Sequence, residues 1–274
     1  MGDVVGRVGG IWRYPVKSMG GERLDRAELD ALGVHGDRRF ALRDGNTGKI
    51  LSAKSPELGP TLLACRSSMT DDGLKVEVDG RTFGRDERDE LDAVLSDRLG
   101  RFVRLESTSA PGDVYESYWP PLDGTLLSDV HIDLPVAMST GPGTFVDLAA
   151  LHVVATASVD HLAALAPEAT VSMARFRPSF TVEGATGEGF VEDGWAGRTA
   201  TVGSASLAFT TATPRCIMTT LDQPSLPREP QVLRTIAAHH RVDVPGLGTF
   251  ACLGNYAEVT VPGTVATGDE VVLD

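Results

Sequence analysis

Cysteine is scarce in this 274-residue chain, and no two cysteines have the Cys-x-x-Cys spacing of redox or metal motifs. Cys65, Cys216 and Cys252 are too few and too scattered for a disulfide framework, which favours a reducing compartment. The N-terminus lacks an apolar run of signal-peptide length, and no stretch approaches the roughly 20 apolar residues that a membrane helix needs. We therefore expect a soluble, cytoplasmic protein.

Positive charge is also under-represented. Lys and Arg number 25 against 38 Asp and Glu, which gives a formal net charge of −13. A chain this acidic repels phosphate backbones and anionic lipids, so nucleic-acid and membrane-surface partners are disfavoured. An anionic ligand would require a local basic pocket. Hydrophobic residues at 42% allow a sizeable core, in one large domain or two closely packed ones.

Several common catalytic motifs are missing. The segment Gly45-Asn46-Thr47-Gly48-Lys49 lacks Walker A spacing, and no dinucleotide fingerprint or Gly-x-Ser-x-Gly elbow is present. The six histidines show no zinc-like spacing. His239 and His240 are adjacent on a predicted helix, so their rings diverge, and His152 and His161 are expected at the edge of the core.

Strand patterns outnumber helix patterns and do not alternate with them, as a doubly wound sheet would require. The helix patterns cover residues 87–99, with Gly100 as a stop, 158–165, with Ser158 as the N-cap, and 231–240. The strand patterns are at residues 4–11, 39–43, 61–66, 74–78, 152–156, 180–183, 199–202, 207–211, 256–261 and 270–273. The fold class is therefore predicted as α+β, predominantly β, with a β-barrel-like architecture and a few short helices.

Residues 106–145 are rich in Ser, Gly and Pro, including the pair Pro120-Pro121. This composition predicts an irregular connection, which is either a domain boundary or a loop over a site.

Cys216 is the first candidate for chemistry. Its neighbour Arg215 would favour the thiolate, the form of cysteine that ligates metals, and Pro214 places Cys216 where a strand gives way to a loop. The alternative is a small buried hydrophobic residue, which is the usual role of a lone cysteine.

Arg175 and Arg177 form a second candidate cluster with Pro178. Arginine suits bidentate phosphate recognition, and Lys17-Ser18 could add an ammonium and a hydroxyl for the same anion. The alternative is a pair of solvated surface arginines.

Six segments in order resemble the MOSC proteins, in the branch of the amidoxime-reducing components. They run from about residue 5 to the C-terminus, which makes a chance match improbable. The segments are Tyr14-Pro15-Val16-Lys17-Ser18, Leu32 to Phe40, Phe176-Arg177-Pro178-Ser179, Glu192-Asp193-Gly194-Trp195, Arg215-Cys216-Ile217-Met218-Thr219-Thr220, and Pro262 to Asp269.

The resemblance implies an N-terminal β-barrel-like domain over residues 1–105, a MOSC domain over 106–274 and a molybdenum–molybdopterin cofactor between them. It implies that Cys216 is the metal ligand and catalytic residue. The residues that would contact the cofactor are Lys17, Ser18, Lys54, Asp147, Arg177, Ser179, Arg215, Thr219 and Thr220. Lys54, Ser179 and Pro214 depart from the family's usual Arg, Asn and Ser, and a lysine can offer phosphate only monodentate contact.

The activity that the resemblance implies is reductive removal of oxygen from N-hydroxylated small molecules. No ferredoxin-type cysteine cluster is present, so electrons would come from a separate flavin or iron–sulfur protein. Two alternatives remain open. One is a carrier of molybdenum cofactor or sulfur with a persulfide on Cys216, and the other is a cofactor-free relative in a specialised pathway.

Overall fold

The computed structural model describes residues 2–120 and 130–274, and strands dominate it. The predicted α+β, predominantly β fold class is confirmed. The strands are β1 Asp3–Arg13, β2 Glu22–Leu24, β3 Arg26–Asp30, β4 Gly33–Val34, β5 Ala41–Asp44, β6 Arg66–Thr70, β7 Gly73–Val78, β8 Arg81–Phe83, β9 Val103–Glu106, β10 Val114–Trp119, β11 Val130–Pro135, β12 Leu151–Ala155, β13 Phe180–Glu183, β14 Thr199–Val202, β15 Ala205–Pro214, β16 Arg241–Val244, β17 Gly248–Val261, β18 Gly263–Ala266 and β19 Glu270–Leu273.

Four short α-helices and several 3₁₀ turns connect these strands within the described residues. The helices are α1 Gly59–Ala64, α2 Arg88–Leu99, α3 Thr156–Leu165 and α4 Pro230–His239. None of the described helices is long and apolar enough to span a bilayer.

Seven strands close into a barrel in the order β12, β13, β1, β19, β14, β15 and β17, and the β12–β17 pair completes the ring. Apolar side chains at alternate positions fill its interior, as the two-residue period of a strand requires. Phe180 and Val182 of β13, for example, pack with Val8 and Ile11 of β1. Strand β1, from the N-terminal end of the chain, lies between β13 and β19, whereas the other six strands of the barrel come from the C-terminal half.

A second core lies beside the barrel, among α1, α2 and the small sheets β5–β9 and β6–β7–β8. Leu62, Phe83 and Leu95 are among its fully buried members. Ile217 and Leu221, which follow β15 of the barrel, also pack into this core. The segment that contains Cys216 is therefore pinned between the two cores.

Several local expectations are confirmed and others are wrong. Helix α2 ends at Leu99, and Gly100 adopts the left-handed conformation of a C-terminal stop, with φ of 63°. The predicted strand over residues 61–66 is instead largely α1, where Pro60 occupies the first turn and the consecutive Leu62 and Leu63 are both buried. Alternation over six residues was too short a signal to separate the two periodicities.

Ser158 does not cap α3, because the helix begins at Thr156. Its hydroxyl instead donates to the buried Glu192 carboxylate and accepts from the Val191 N–H at 3.0 Å. A buried carboxylate requires such donors, and this requirement overrides the capping preference. The segment 106–145 is not wholly irregular, since β10 and β11 form an antiparallel hairpin within it. Pro121 lies outside the described residues.

His240 ties the end of α4 to the barrel. Its Nδ1 contacts the Cys252 carbonyl oxygen at 2.6 Å and its Nε2 contacts Asp193 Oδ2 at 2.8 Å, while its ring stacks on Phe190. Both partners are acceptors, so the protonated ring satisfies them best. Burial lowers the pKa of His240, but the contacts with Asp193 and Cys252 outweigh burial and raise it.

We expect the stabilising contribution of His240 to weaken as the pH rises. Because the folded-state pKa lies above the ordinary value of 6.5, the contribution is complete below that value and is lost as the pH passes the folded-state pKa. Replacing His240 with Gln should lower the free energy of unfolding more at about pH 6 than at about pH 8, measured by urea denaturation. His239→Gln, exposed at the same helix end, is the control. Equal losses at the two pH values would contradict the assignment.

Candidate functional site

A cavity opens where the barrel meets the second core. Its wall is built from the end of β15 with its following turn, the loops after β1 and β5, and the segments that lead into β12 and β13. Eight predicted site residues line it: Lys17, Ser18, Lys54, Asp147, Arg177, Ser179, Arg215 and Cys216. Residues separated by up to two hundred positions in the sequence thus meet at one place.

Cys216 lies between β15 and a 3₁₀ turn, Ile217–Thr220, so the predicted strand-to-loop position is confirmed. Its carbonyl oxygen accepts from the Thr219 N–H at 3.2 Å and the Thr219 hydroxyl at 3.0 Å. The thiol is largely buried, and across residues 2–120 and 130–274 its sulfur has no hydrogen-bond partner. The backbone of Cys216 is therefore fixed while its sulfur is left for the cavity.

The other two cysteines differ from Cys216. Their sulfurs donate to the backbone carbonyls of Thr61 and Phe250, each at 3.4 Å, and neither lines the cavity. Burial raises the pKa of Cys65 to about 11 and that of Cys252 to about 12. These are core thiols of low reactivity.

Thr219 and Thr220 are not brought into the cavity wall. Their hydroxyls donate to the carbonyl oxygens of Cys216 and Ile217, at 3.0 and 2.8 Å. The structure thus uses both threonines to close the turn after Cys216.

Arg175 holds the end of the turn that follows Cys216. Its side chain is fully buried and donates to four backbone carbonyls, those of Thr170, Thr219, Leu221 and Pro227, at 2.7 to 3.3 Å. The interpretation of Arg175 as a solvated surface residue is wrong, because four converging carbonyls satisfy its guanidinium inside the protein.

Arg177, two residues further on, also lines the cavity but makes no such backbone contacts within the described residues. Its guanidinium lies 4.2 Å from the centre of the Tyr14 ring, and no described residue supplies it with a carboxylate or a hydrogen-bond acceptor. Burial lowers the pKa of Arg177 to about 10. A buried cation without an anionic partner is costly, so the position favours binding of an anion from outside.

Lys17 and Lys54 share one carboxylate. Lys17 Nζ donates to Asp147 and to the Phe145 carbonyl, and Lys54 Nζ lies 3.0 Å from Asp147 Oδ2. Burial alone would raise the pKa of Asp147, but the two ammonium groups hold it well below its usual range. The Tyr115 hydroxyl accepts from Lys54 at 2.9 Å, and both ammonium groups lie within 5 Å of its ring centre.

Arg215 meets a histidine that the sequence interpretation placed only at the core edge. Arg215 Nη1 lies 3.2 Å from His152 Nε2, which also lies 3.3 Å from the Leu253 carbonyl oxygen, and Arg215 Nη2 donates to the Phe176 carbonyl at 3.0 Å. The buried Nε of Arg215 has no partner among the described residues. Burial and the neighbouring guanidinium lower the pKa of His152 well below 6.5, so its ring is neutral and can accept. No sequence motif marked His152.

Backbone strain concentrates at this cavity. Six described non-glycine residues have positive φ, and three of them, Ser18, Arg38 and Arg177, line it, with φ values of 69°, 46° and 51°. Such conformations are unfavourable and cluster at functional sites. Arg38 is a further residue that the sequence interpretation missed; it pairs with the buried Asp37, whose other oxygen accepts from the Tyr14 N–H at 2.6 Å.

The serines of the site are used internally. Ser18 Oγ accepts from the Ala53 N–H at 2.9 Å and Ser179 Oγ accepts from the His152 N–H at 3.1 Å. The cavity wall carries an excess of positive charge. Six of the described lining residues are lysines or arginines, and Asp147 is the one carboxylate among the described lining residues. A chain of net charge −13 thus contains a cavity with a concentration of positive charge, which favours anions.

Comparisons with known proteins identify the family of the chain. Residues 5–85 match the family model of the MOSC N-terminal beta barrel domain, and residues 140–272 match that of the MOSC domain. The chain is similar to human mitochondrial amidoxime-reducing component 1, with 25% identity over 98% of this chain and 83% of that protein. It is also similar to the macaque mitochondrial amidoxime reducing component 2, with 26% identity over 80% of this chain and 67% of that protein.

Among solved structures, the YuaD protein from Bacillus subtilis aligns over 100% of this chain and 98% of its own, with 13% identity and a TM-score of 0.44.

Removal of the charge at Arg175 and at Arg177 should have different effects on the free energy of unfolding. Arg175→Met leaves four backbone carbonyls, two of them buried, without this donor and should lower the free energy of unfolding by about 3 kcal/mol. Arg177→Met removes a buried cation that has no counter-charge, and should leave stability within about 1 kcal/mol of the parent protein or above it. Urea denaturation of both variants measures the difference. Equal destabilisation would show that Arg177 has a structural partner.

Proposed function

Because this chain belongs to the MOSC proteins, with both an N-terminal β-barrel domain and a MOSC domain of that family, we propose that it is a molybdenum-cofactor-dependent oxidoreductase. Its reaction is the removal of oxygen from N-hydroxylated small molecules. The similarity to amidoxime-reducing components supports this reaction class.

The observation that carries the proposal is the setting of Cys216. Of the three cysteines, it alone lines the cation-rich cavity, and its sulfur alone lacks a hydrogen-bond partner among the described residues. A thiolate in such a place is a soft ligand beside an anion site. That combination suits a metal bound to an organic cofactor that carries a phosphate.

The residues present fit molybdopterin on three counts. Arg177 is a buried guanidinium without a counter-charge, Arg215 Nε is a buried donor without an acceptor, and Cys216 offers sulfur to the metal. None of these three groups has a bonding partner among the described residues. A cofactor that carries a phosphate and a thiophilic metal would supply all three partners.

On this proposal, Cys216 holds the metal, and Arg177, Lys17 and Ser18 hold the phosphate side. Lys54, Asp147 and Ser179 border the cofactor and Arg215 lies beside the ligand, while Thr219 and Thr220 contribute through the turn that positions Cys216. When bound, the cofactor supplies a two-electron couple and an open coordination position.

The chain's own residues supply binding and fixed charge. The ammonium groups of Lys17 and Lys54 are held by Asp147, so they need no rearrangement to meet an anion. Lys54 keeps its proton, because the Asp147 carboxylate outweighs burial and raises its pKa well above the usual value. Lys54 is already bonded to Tyr115, so the lysine that replaces the family's arginine acts as a single anchored donor.

Electrons would come from a separate flavin or iron–sulfur protein. Three cysteines are one fewer than a ferredoxin-type cluster requires, and the sequence has no nucleotide-binding loop.

Metal content tests the proposal directly. Protein made in a host that synthesises the cofactor should contain about one molybdenum per chain by elemental analysis, because one cysteine lines the cavity. Cys216→Ala should lose the metal and the reduction of an amidoxime by a chemical donor. Cys65→Ala, which changes a core thiol, is the matched control and should keep both.

Two results would overturn the assignment. Absence of molybdenum after production in a competent host and after reconstitution would contradict the proposal of a molybdenum-dependent oxidoreductase. Retention of metal by Cys216→Ala would show that another group is the ligand. A persulfide on Cys216 by intact mass, without turnover, would instead identify a sulfur carrier.

A further inference from the structure

A groove adjoins the cationic cavity on the side of Tyr256. Leu148, Ala149 and Tyr256 line both spaces, and the groove continues past them between Met138 and Leu247. It encloses about 310 Å³, a volume within the range of small-molecule sites. The groove and the cavity are therefore neighbours that share part of one wall.

The groove exposes apolar surface that the fold does not require. Met138 is 46% exposed and Leu247 is 44% exposed, and they are two of the six large hydrophobic residues left exposed in the described chain. Leu247 is at the tip of the β16–β17 hairpin, where its N–H donates to the Val244 carbonyl at 2.9 Å. Exposed apolar residues gathered at one groove are typical of a ligand site.

The groove wall is fixed to the cavity by backbone hydrogen bonds. The Met138 N–H donates to the carbonyl of Asp147 at 3.3 Å, and the Ser139 N–H donates to that of Leu148 at 3.0 Å. On the other side, Thr210 and Thr211 belong to β15, the strand that leads to Cys216. These connections fix the position of the groove relative to the Cys216 thiol.

The two spaces have opposite electrostatic character. The described lining of the cavity includes six cations, whereas Glu258 is the one charged residue among the described residues that line the groove. An apolar wall with a carboxylate at its edge accepts uncharged or cationic compounds and disfavours anions.

We propose that this groove is the subsite for the apolar substituent of the substrate, and that it selects uncharged or cationic aryl and alkyl N-hydroxy compounds over carboxylated ones. The inference rests on the proposed function for the reacting end of the substrate.

Leu247→Asp tests the apolar contact in the cofactor-loaded protein. With a chemical reductant, KM for benzamidoxime should rise roughly tenfold, because the ring loses apolar surface and meets a charge. Acetamidoxime has the same N–O bond but no ring, and its kinetics should change less than about twofold. Ile132→Asp, which adds the same charge to an equally exposed residue outside the groove, is the matched control.

Glu258→Gln tests the charge selection. The parent protein should discriminate against 4-carboxybenzamidoxime relative to benzamidoxime, and the variant should lose most of this discrimination. Isothermal titration calorimetry of the cofactor-loaded proteins with benzamidine and 4-carboxybenzamidine should show the same order. Binding gives a readout that does not depend on turnover.

The outcomes separate the two proposals. If neither amidoxime is reduced, the proposed reaction fails and the calorimetric affinities judge the groove alone. Equal effects of Leu247→Asp on both amidoximes, or none on either, would overturn the subsite. So would a defect of Leu247→Asp that appears with a protein electron donor and disappears with a chemical one, since that result would make the groove a docking surface for the donor.

Discussion

The site depends on one partly buried carboxylate. Asp147 is the counter-charge of two lysines, Lys17 and Lys54, that come from loops more than ninety residues away in the sequence. Two buried ammonium groups close together would repel each other and lose hydration, and this anion offsets both costs. The same contact joins the N-terminal part of the chain to the segment that enters β12. Fold and site therefore share one electrostatic linkage.

Around this linkage, the protein keeps groups that a structure optimised for stability alone would avoid. Arg177 is a buried cation without an anion, Arg215 Nε is buried without an acceptor, and Ser18 and Arg38 have positive φ. Each feature costs free energy in the isolated chain. Their concentration at one cavity indicates that the surrounding packing maintains them for a ligand, because strain spread at random would not converge on one place.

The fold could be predicted from strand patterns because apolar alternation reports directly which face of a strand is buried, as at Phe180–Glu183. The site could be predicted only through ordered motifs, since the environment of Cys216 depends on distant residues. Arg175 and Arg177 show the limit. They are the same residue type two positions apart, yet Arg175 donates to four backbone carbonyls and Arg177 has no hydrogen-bond partner among the described residues. Only tertiary structure distinguishes such residues, and no motif pointed to His152.

The cavity and the groove suggest how two different ligands could be kept apart without a gate. A polyanion is stabilised among the six cations of the cavity and is disfavoured in an apolar groove that carries Glu258. A cationic apolar compound has the opposite preference because the cations of the cavity repel it, and a neutral apolar compound prefers the groove because it buries apolar surface there. Tyr256 lines both spaces, so on the two proposals the cofactor and the apolar substituent of the substrate border one shared wall. Opposite polarity across this wall then favours the orientation in which the N–O bond of the substrate points toward the cavity that Cys216 lines.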